Sequence, residues 1–396
     1  MSNIIADRDK YYTSARIYSA IESTFAHWDD VPELVHGDLF KSYIEAISQS
    51  TSRSTFVRET QRYMAQFRNA HTEFVDTTVY ERGDITFGFY ARLIEDEWVI
   101  TTSAHSDIRP GDVICRIEDQ SASDFLRPYN DLISASRQES KSYTLWRRPF
   151  FLPEDIEIEL SSGTVKRICK GMAPDVRRPA VEAGYLGKVP VITIRSFDDP
   201  DFEDTALSYV NQHKDAPALI LDIRGNGGGN TPENLINALM NVPFSGWRDA
   251  SPFRLGVDIA VEQLASHGQA PAIDRSRVTL SWNSPVRQPR SDAYQGDVFI
   301  VHDIGTKSAA EDFLMPFKVT GRATLVGETT CGSSGQPYID TPFAGVTYAI
   351  GAKRQTFPNG DRFEGVGIAP DLEVGPTQAR LRSNKDYVLD ELKKIL

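Results

Sequence analysis

Leu219–Asn230 reads LILDIRGNGGGN, an apolar strand that runs straight into four glycines among five residues. A run that is apolar at successive positions suits a strand buried on both faces, as in a parallel sheet covered by helices. The turn at Gly225–Gly229, with Thr231 as N-cap and Pro232 at the first helical position, predicts a strand–turn–helix unit. Its backbone N–H groups would be free to point at a negative oxygen. That oxygen is either a phosphate or a developing oxyanion, and the third reading is a close-packed turn that binds nothing. Gly225-x-Gly227-x-x-Asn230 lacks the third glycine of a dinucleotide fingerprint, and no GxxxxGK[ST] occurs, which weakens the nucleotide reading.

The rest of the chain divides by period. From Asp7 to about Arg68, SARIYSAIESTFAHW, GDLFKSYIEAISQS and STFVRETQRYMAQF space their apolar residues three and four apart, predicting a helical region over residues 1–76. Over residues 77–171 the period becomes two, in DITFGFYARL, EWVITTSA and the hairpin EDIEIELSSGTVKRICK, predicting a small β domain. Over residues 172–396, KVPVITIRSF, ALILDIR, DVFIVHD and ATLVGET alternate with DFEDTALSYVNQH, PENLINALM and SAAEDFLMPF. That alternation predicts an α/β core with parallel strands. An insertion at residues 243–295, holding the helical piece VDIAVEQLASHG, is long enough to act as a lid.

The formal net charge of −12 argues against nucleic acid or an anionic membrane as the main partner. Cys115, Cys169 and Cys331 are odd in number and widely spaced, which suits neither a disulfide scaffold nor a metal site. The first residues, MSNIIADRDKYYTSAR, lack the apolar core of a secretory signal, and no run approaches the ~18 apolar residues of a membrane span. We read the chain as cytoplasmic.

ALILDIRGNGGG resembles the strand and turn of the S41 peptidases, the family of tail-specific (C-terminal processing) proteases and the tricorn core protease. Further stretches match in the family's order: FRNAHTEFVD with His71, DIRPGDVICRIEDQSA, GTKSAAEDF with Ser308, GETTCGSSGQ, and FEGVGIAPDLEV with Glu364. The resemblance implies a crotonase-like α/β core, an N-terminal helical region and a PDZ-like β domain that either takes an extended peptide near Thr86–Phe89, a loose match to the carboxylate loop, or serves as a spacer. It implies Ser308 as nucleophile, opening a helix, with the N–H groups of Gly228 and Ala309 as the oxyanion hole. On residue type alone, Ser308 reads better as an ordinary N-cap than as a nucleophile.

A serine hydroxyl needs a base. The tail-specific branch places a lysine 25 residues after the serine, where this chain has Ser333, and neither Lys307 nor Lys318 fits that motif. The tricorn-like branch uses a histidine and a late glutamate, matching His71 and Glu364. That branch also has a serine just before the histidine, where Ala70 stands here; Ser333 is the candidate to replace it. His302, six residues before Ser308, is a competing base, His105 is a weaker one, and Glu328 is a competing carboxylate or a structural ion pair. With histidine as base, activity is expected to rise with an apparent pKa of about 6 to 7, higher if Glu364 stabilises the imidazolium.

These residues imply a serine peptidase that cleaves peptides or unfolded protein segments through an acyl-enzyme, with no cofactor or metal and with a homo-oligomer open. The alternative is a non-catalytic protein of the same fold that binds a peptide or a hydrophobic ligand.

Overall fold

The structure is a computed structural model that describes all residues except 1–3, 80–84, 173–177, 253–278 and 384. Helices α1 (Asp7–Thr24), α2 (His36–Ser48) and α3 (Arg53–Ala65) open the chain, and strand β1 (Glu73–Asp76) follows them. Ile17, Ile21, Phe56 and Met64 project from the helices into a core that also contains Val346, Tyr348 and Ile350. These last residues belong to the hairpin β14 (Pro337–Phe343) and β15 (Val346–Gly351), whose second strand pairs antiparallel with β1, Glu73 opposite Ala349. The helical segment is thus closed by chain from more than 250 residues later.

A second core fills the β region. Strands β2 (Phe89–Ile94), β3 (Glu97–Ser103), β4 (Val113–Ile117), β5 (Asp155–Leu160) and β6 (Val165–Cys169) pair in that order, all antiparallel. Two helices that the alternating pattern does not announce, α4 (Ala122–Asn130) and α5 (Gln138–Leu145), interrupt it. Trp146, just past α5, is fully buried against Phe87, Phe89 and Trp98.

A six-stranded sheet orders its strands β7 (Val181–Leu186), β8 (Val189–Ile194), β9 (Ala218–Asp222), β12 (Asp297–His302), β13 (Ala323–Gly327) and β17 (Leu372–Glu373). The first pair is antiparallel and the others parallel. Every residue of β9 is buried, Leu219 and Leu221 in the core on one face and Ile220 in the core on the other. Covering both faces is what permits the continuous apolar run. Helices α6 (Phe202–Gln212), α7 (Glu233–Leu239) and α8 (Ala309–Thr320) follow β8, β9 and β12. The expected elements of this α/β core are therefore all present.

One start differs from expectation. Helix α7 begins at Glu233, so Pro232 is its N-cap and Thr231 lies outside it. Glu203 of α6 accepts from the N–H groups of Asn234 and Leu235 instead, and the Thr231 hydroxyl donates to Asp312 at 3.0 Å. Within the 243–295 insertion, β10 (Arg248–Pro252) and β11 (Thr279–Asn283) form a hairpin that pairs with β16 (Arg354–Thr356). The helical piece expected there, VDIAVEQLASHG, lies outside the described residues. Among the described residues no helix is long and apolar enough to cross a membrane.

Candidate active site

Parallel strands of one sheet end on one edge, so the loops after them meet there. The glycine turn follows β9, Ser308 follows β12 and Ser333 follows β13. Backbone bonds stitch these loops together: Lys307 N–H donates to Asn226 O at 3.0 Å, and Ser308 N–H to Ser333 O at 2.9 Å.

Ser308 caps α8 at φ 59° and ψ −128°, a conformation that ordinarily belongs to glycine. Holding a serine there costs on the order of 1–3 kcal/mol, and the surrounding contacts must supply it. Glu311, one turn into α8, is central to those contacts. Its carboxylate accepts from the N–H groups of Ser308 (3.2 Å), Gly332 (2.7 Å) and Ser333 (3.0 Å), and from the Thr330 hydroxyl. Burial pushes its carboxyl up to about 8, while these donors act in the opposite direction.

His71 reaches this edge from the segment before β1. Its Nε2 lies 3.1 Å from Ser308 Oγ and its Nδ1 2.9 Å from Ser333 Oγ. Ser333 Oγ donates in turn to Glu364 Oε1 at 3.1 Å. Because that hydroxyl proton is committed to Glu364, Nδ1–H must donate to Ser333, which leaves Nε2 as an acceptor for the Ser308 hydroxyl. Glu364 Oε1 also accepts from Asn69 Nδ2 at 2.8 Å and from the Ser136 hydroxyl, and Asn69 Oδ1 accepts from His71 N–H at 3.0 Å.

The electrostatics revise the expected titration. Burial, then the Lys307 ammonium and His27, hold the His71 imidazole well below its ordinary range, so the upward shift expected from Glu364 does not dominate. Lys307 Nζ donates to Ala70 O at 2.9 Å, which keeps its charge beside the histidine. Burial raises the Glu364 carboxyl, opposed first by His27 and then by the Ser136 and Ser333 hydroxyls.

Of the oxyanion candidates, Ala309 N–H makes no hydrogen bond among the described residues. Gly228 N–H donates to Asn226 Oδ1 at 2.9 Å and is therefore engaged. Gly228 has φ 98°, and a Cβ there would stand 2.8 Å from Ser308 Cβ and 2.9 Å from Ala309 N. The glycine thus lets the turn approach the head of α8.

The competing residues are placed elsewhere. His302 is fully buried with neither ring nitrogen partnered among the described residues, and burial lowers it to about 4. Glu328 makes a two-pronged ion pair with Arg92, at 3.0 and 2.7 Å. His105 Nε2 bonds Phe87 O at 2.8 Å, and Lys318 pairs with Asp371. Sequence reading missed Asn69, Ser136 and Glu311. Asn69 stands two residues before His71, and the spacing of Glu311 from Ser308 is that of a capping box, so both left a trace. Ser136 left none.

Beside the head of α8 opens a cavity of about 180 Å³, lined by Thr231, Trp247, Asp312, Met315 and Lys353 among others. Asp312 closes its wall, accepting from Trp247 Nε1 and the Ser334 hydroxyl, both at 2.7 Å.

The same fold occurs in mature CPAF complexed with lactacystin, at 13% identity over 98% of both chains and a TM-score of 0.73. It also occurs in the photosystem II D1 C-terminal processing protease, at 15% identity over 97% of this chain and 99% of that one, with a TM-score of 0.52. The tricorn protease matches 98% of this chain with 36% of its own length, at 13% identity and a TM-score of 0.51. At these identities the likeness is one of fold alone. Residues 188–374, which carry the glycine turn, Ser308, Ser333 and Glu364, match the model of peptidase family S41. That match, over just under half of the chain, supports a serine peptidase of family S41.

Proposed function

We propose that the chain hydrolyses peptide bonds in peptides or unfolded protein segments through an acyl-enzyme on Ser308. The observation that carries this reading is the 3.1 Å contact between Ser308 Oγ and His71 Nε2, with the imidazole held by Ser333 on its other side.

Ser308 Oγ bonds to the substrate carbonyl carbon while its proton passes to His71 Nε2. Collapse of the tetrahedral intermediate breaks the C–N bond, and His71 returns the proton to the departing amine. Water then attacks the ester, again losing its proton to His71, and Ser308 regains it as the acid leaves. Glu364, acting through the Ser333 hydroxyl, fixes the tautomer and steadies the transient imidazolium. Ala309 N–H is one donor to the oxyanion. Gly228 N–H is the second once it leaves Asn226 Oδ1, so substrate binding and completion of the oxyanion hole are one event. The cavity beside α8 receives a substrate side chain.

A fluorophosphonate probe tests this directly. Labelling of the parent protein that disappears in Ser308→Ala, together with hydrolysis of a quenched peptide that disappears in both Ser308→Ala and His71→Ala, is the expected result. Unchanged labelling of Ser308→Ala would overturn it.

A further inference from the structure

His27, between α1 and the turn Trp28–Asp30, is only 1% exposed and has no part in the chemistry above. Its Nδ1 lies 3.3 Å from Asp30 Oδ2. Its Nε2 is buried without a partner among the described residues, and so is Glu364 Oε2, the oxygen that Ser333 does not bond. Buried polar atoms of this kind are costly to leave unpaired, and one of these is a base where the other is an acid.

Two chains of contacts run from the His27 segment to Glu364. Ala26 N–H donates to Gly351 O at 2.9 Å. Gly351 abuts the Asn69 amide so closely that a Cβ would come within 2.4 Å of its Oδ1, and Asn69 Nδ2 is bonded to Glu364. From the other side, Asp30 Oδ1 takes Arg362 Nη2 at 3.1 Å, and Arg362 Nε bonds the main-chain oxygen of Glu364 at 2.8 Å. After burial itself, His27 is the strongest influence on the Glu364 carboxyl, ahead of the hydroxyls bonded to it.

We propose that His27 is a positioning residue for the reaction: as an imidazolium held between Asp30 and Glu364, it keeps Glu364 ionised and turned toward Ser333. The row then reads Asp30, His27, Glu364, Ser333, His71, Ser308. The charged groups gathered about His27 are Asp30, which its Nδ1 contacts, Arg362, which bonds both Asp30 and the Glu364 main chain, and Glu364 itself. The inference rests on the reading of Ser308 and His71 as nucleophile and base. A packing role alone, through the Phe25 ring 5.7 Å away, would leave proton binding at Glu364 unaffected.

The experiment compares full-length parent protein with His27→Gln, Asp30→Asn, Glu364→Gln and the double variant His27→Gln/Glu364→Gln. In His27→Gln, fluorophosphonate labelling should slow at least tenfold at pH 7, KM for a quenched peptide should stay within threefold, and the acid limb should move up by about one pH unit. The shift has that sign because Glu364 and His71 both bind protons more readily once the neighbouring cation is gone. Asp30→Asn, which keeps the ring, should shift the limb the same way by less. In the Glu364→Gln background, His27→Gln should add less than twofold. Titration of His27 by imidazole nitrogen NMR in Ser308→Ala protein should show its pKa falling by about one unit on adding Glu364→Gln, since the coupling is reciprocal.

A His27→Gln protein with parent rate and pH profile, beside a slowed Glu364→Gln, overturns the role of His27 alone. Parent rates in both overturn the relay reading itself. If His27→Gln does not fold, the Asp30→Asn profile and the NMR titration decide, and an unmoved His27 pKa in Glu364→Gln refutes the proposal.

Discussion

Ser333 Oγ lies 2.9 Å from His71 Nδ1 and 3.1 Å from Glu364 Oε1, and thus joins a histidine and a carboxylate that have no direct bond. The hydroxyl is fully buried, its backbone N–H is fixed by Glu311, and its carbonyl accepts from Ser308 N–H. One residue thereby contacts both His71 and Ser308, the proposed base and nucleophile. Removing the hydroxyl in Ser333→Ala leaves Nδ1–H unpaired, so kcat is expected to fall about a hundredfold with KM little changed. Steady-state kinetics on a quenched peptide separate the two constants.

The acid limb of activity should lie below the ordinary histidine range. Burial and then the Lys307 ammonium disfavour the His71 imidazolium, so the base stays neutral as the pH falls. Lys307→Met keeps the stem and removes the charge, which makes protonation easier and moves the limb to higher pH. Fluorophosphonate labelling rates from pH 4 to 8 check the direction; a limb that moves down contradicts it.

Glu311 should make stability fall with rising pH. Its folded carboxyl is pushed up to about 8 from an ordinary 4.5, so the folded state holds a proton that the unfolded chain has released. That contribution is complete below pH 4.5 and is lost as pH rises through about 8. In Glu311→Gln this descent should be absent, a difference in slope amounting to a few kcal/mol across the window. Urea unfolding of both proteins at a series of pH values measures it.

At Gly228, alanine brings together two penalties: a left-handed φ of 98° and a Cβ 2.8 Å from Ser308 Cβ. Turnover of Gly228→Ala is expected to drop on the order of 100-fold, because one oxyanion donor is misdirected. Thermal unfolding measured alongside kinetics distinguishes a displaced turn from global loss of structure, and parent activity at parent stability would remove this glycine from the mechanism.

The α/β core was legible because its signals are local. The run at Leu219–Asp222 and the helical period of Ala309–Thr320 each reside in one segment, and the structure builds both. The Ser308, His71 and Glu364 assignments came from a resemblance in motif order; a hydrogen bond joins Ser308 to His71 directly, and the Ser333 hydroxyl joins His71 to Glu364. Ser136 was hidden because a lone serine in a loop of the β region carries no pattern; only tertiary contact brings it to Glu364. The packing of α1–α3 against Val346–Gly351 was hidden for the same reason, since period reveals which face is apolar and not what covers it. The depressed His71 titration depends on burial and on Lys307, neither of which residue type discloses.

The separations in the chain have a bearing on synthesis. Ser308 and His71 are 237 residues apart, His71 and Ser333 are 262 apart, and Asn69 and Glu364 are 295 apart. Contacts of such length form late, because the entropy of closing the intervening loops must be overcome before they contribute. A nascent chain emerging from its N-terminus has His71 long before Ser308, and Ser308 before Glu364. On the proposed mechanism, the growing polypeptide therefore lacks a complete site until nearly all of the core has been made.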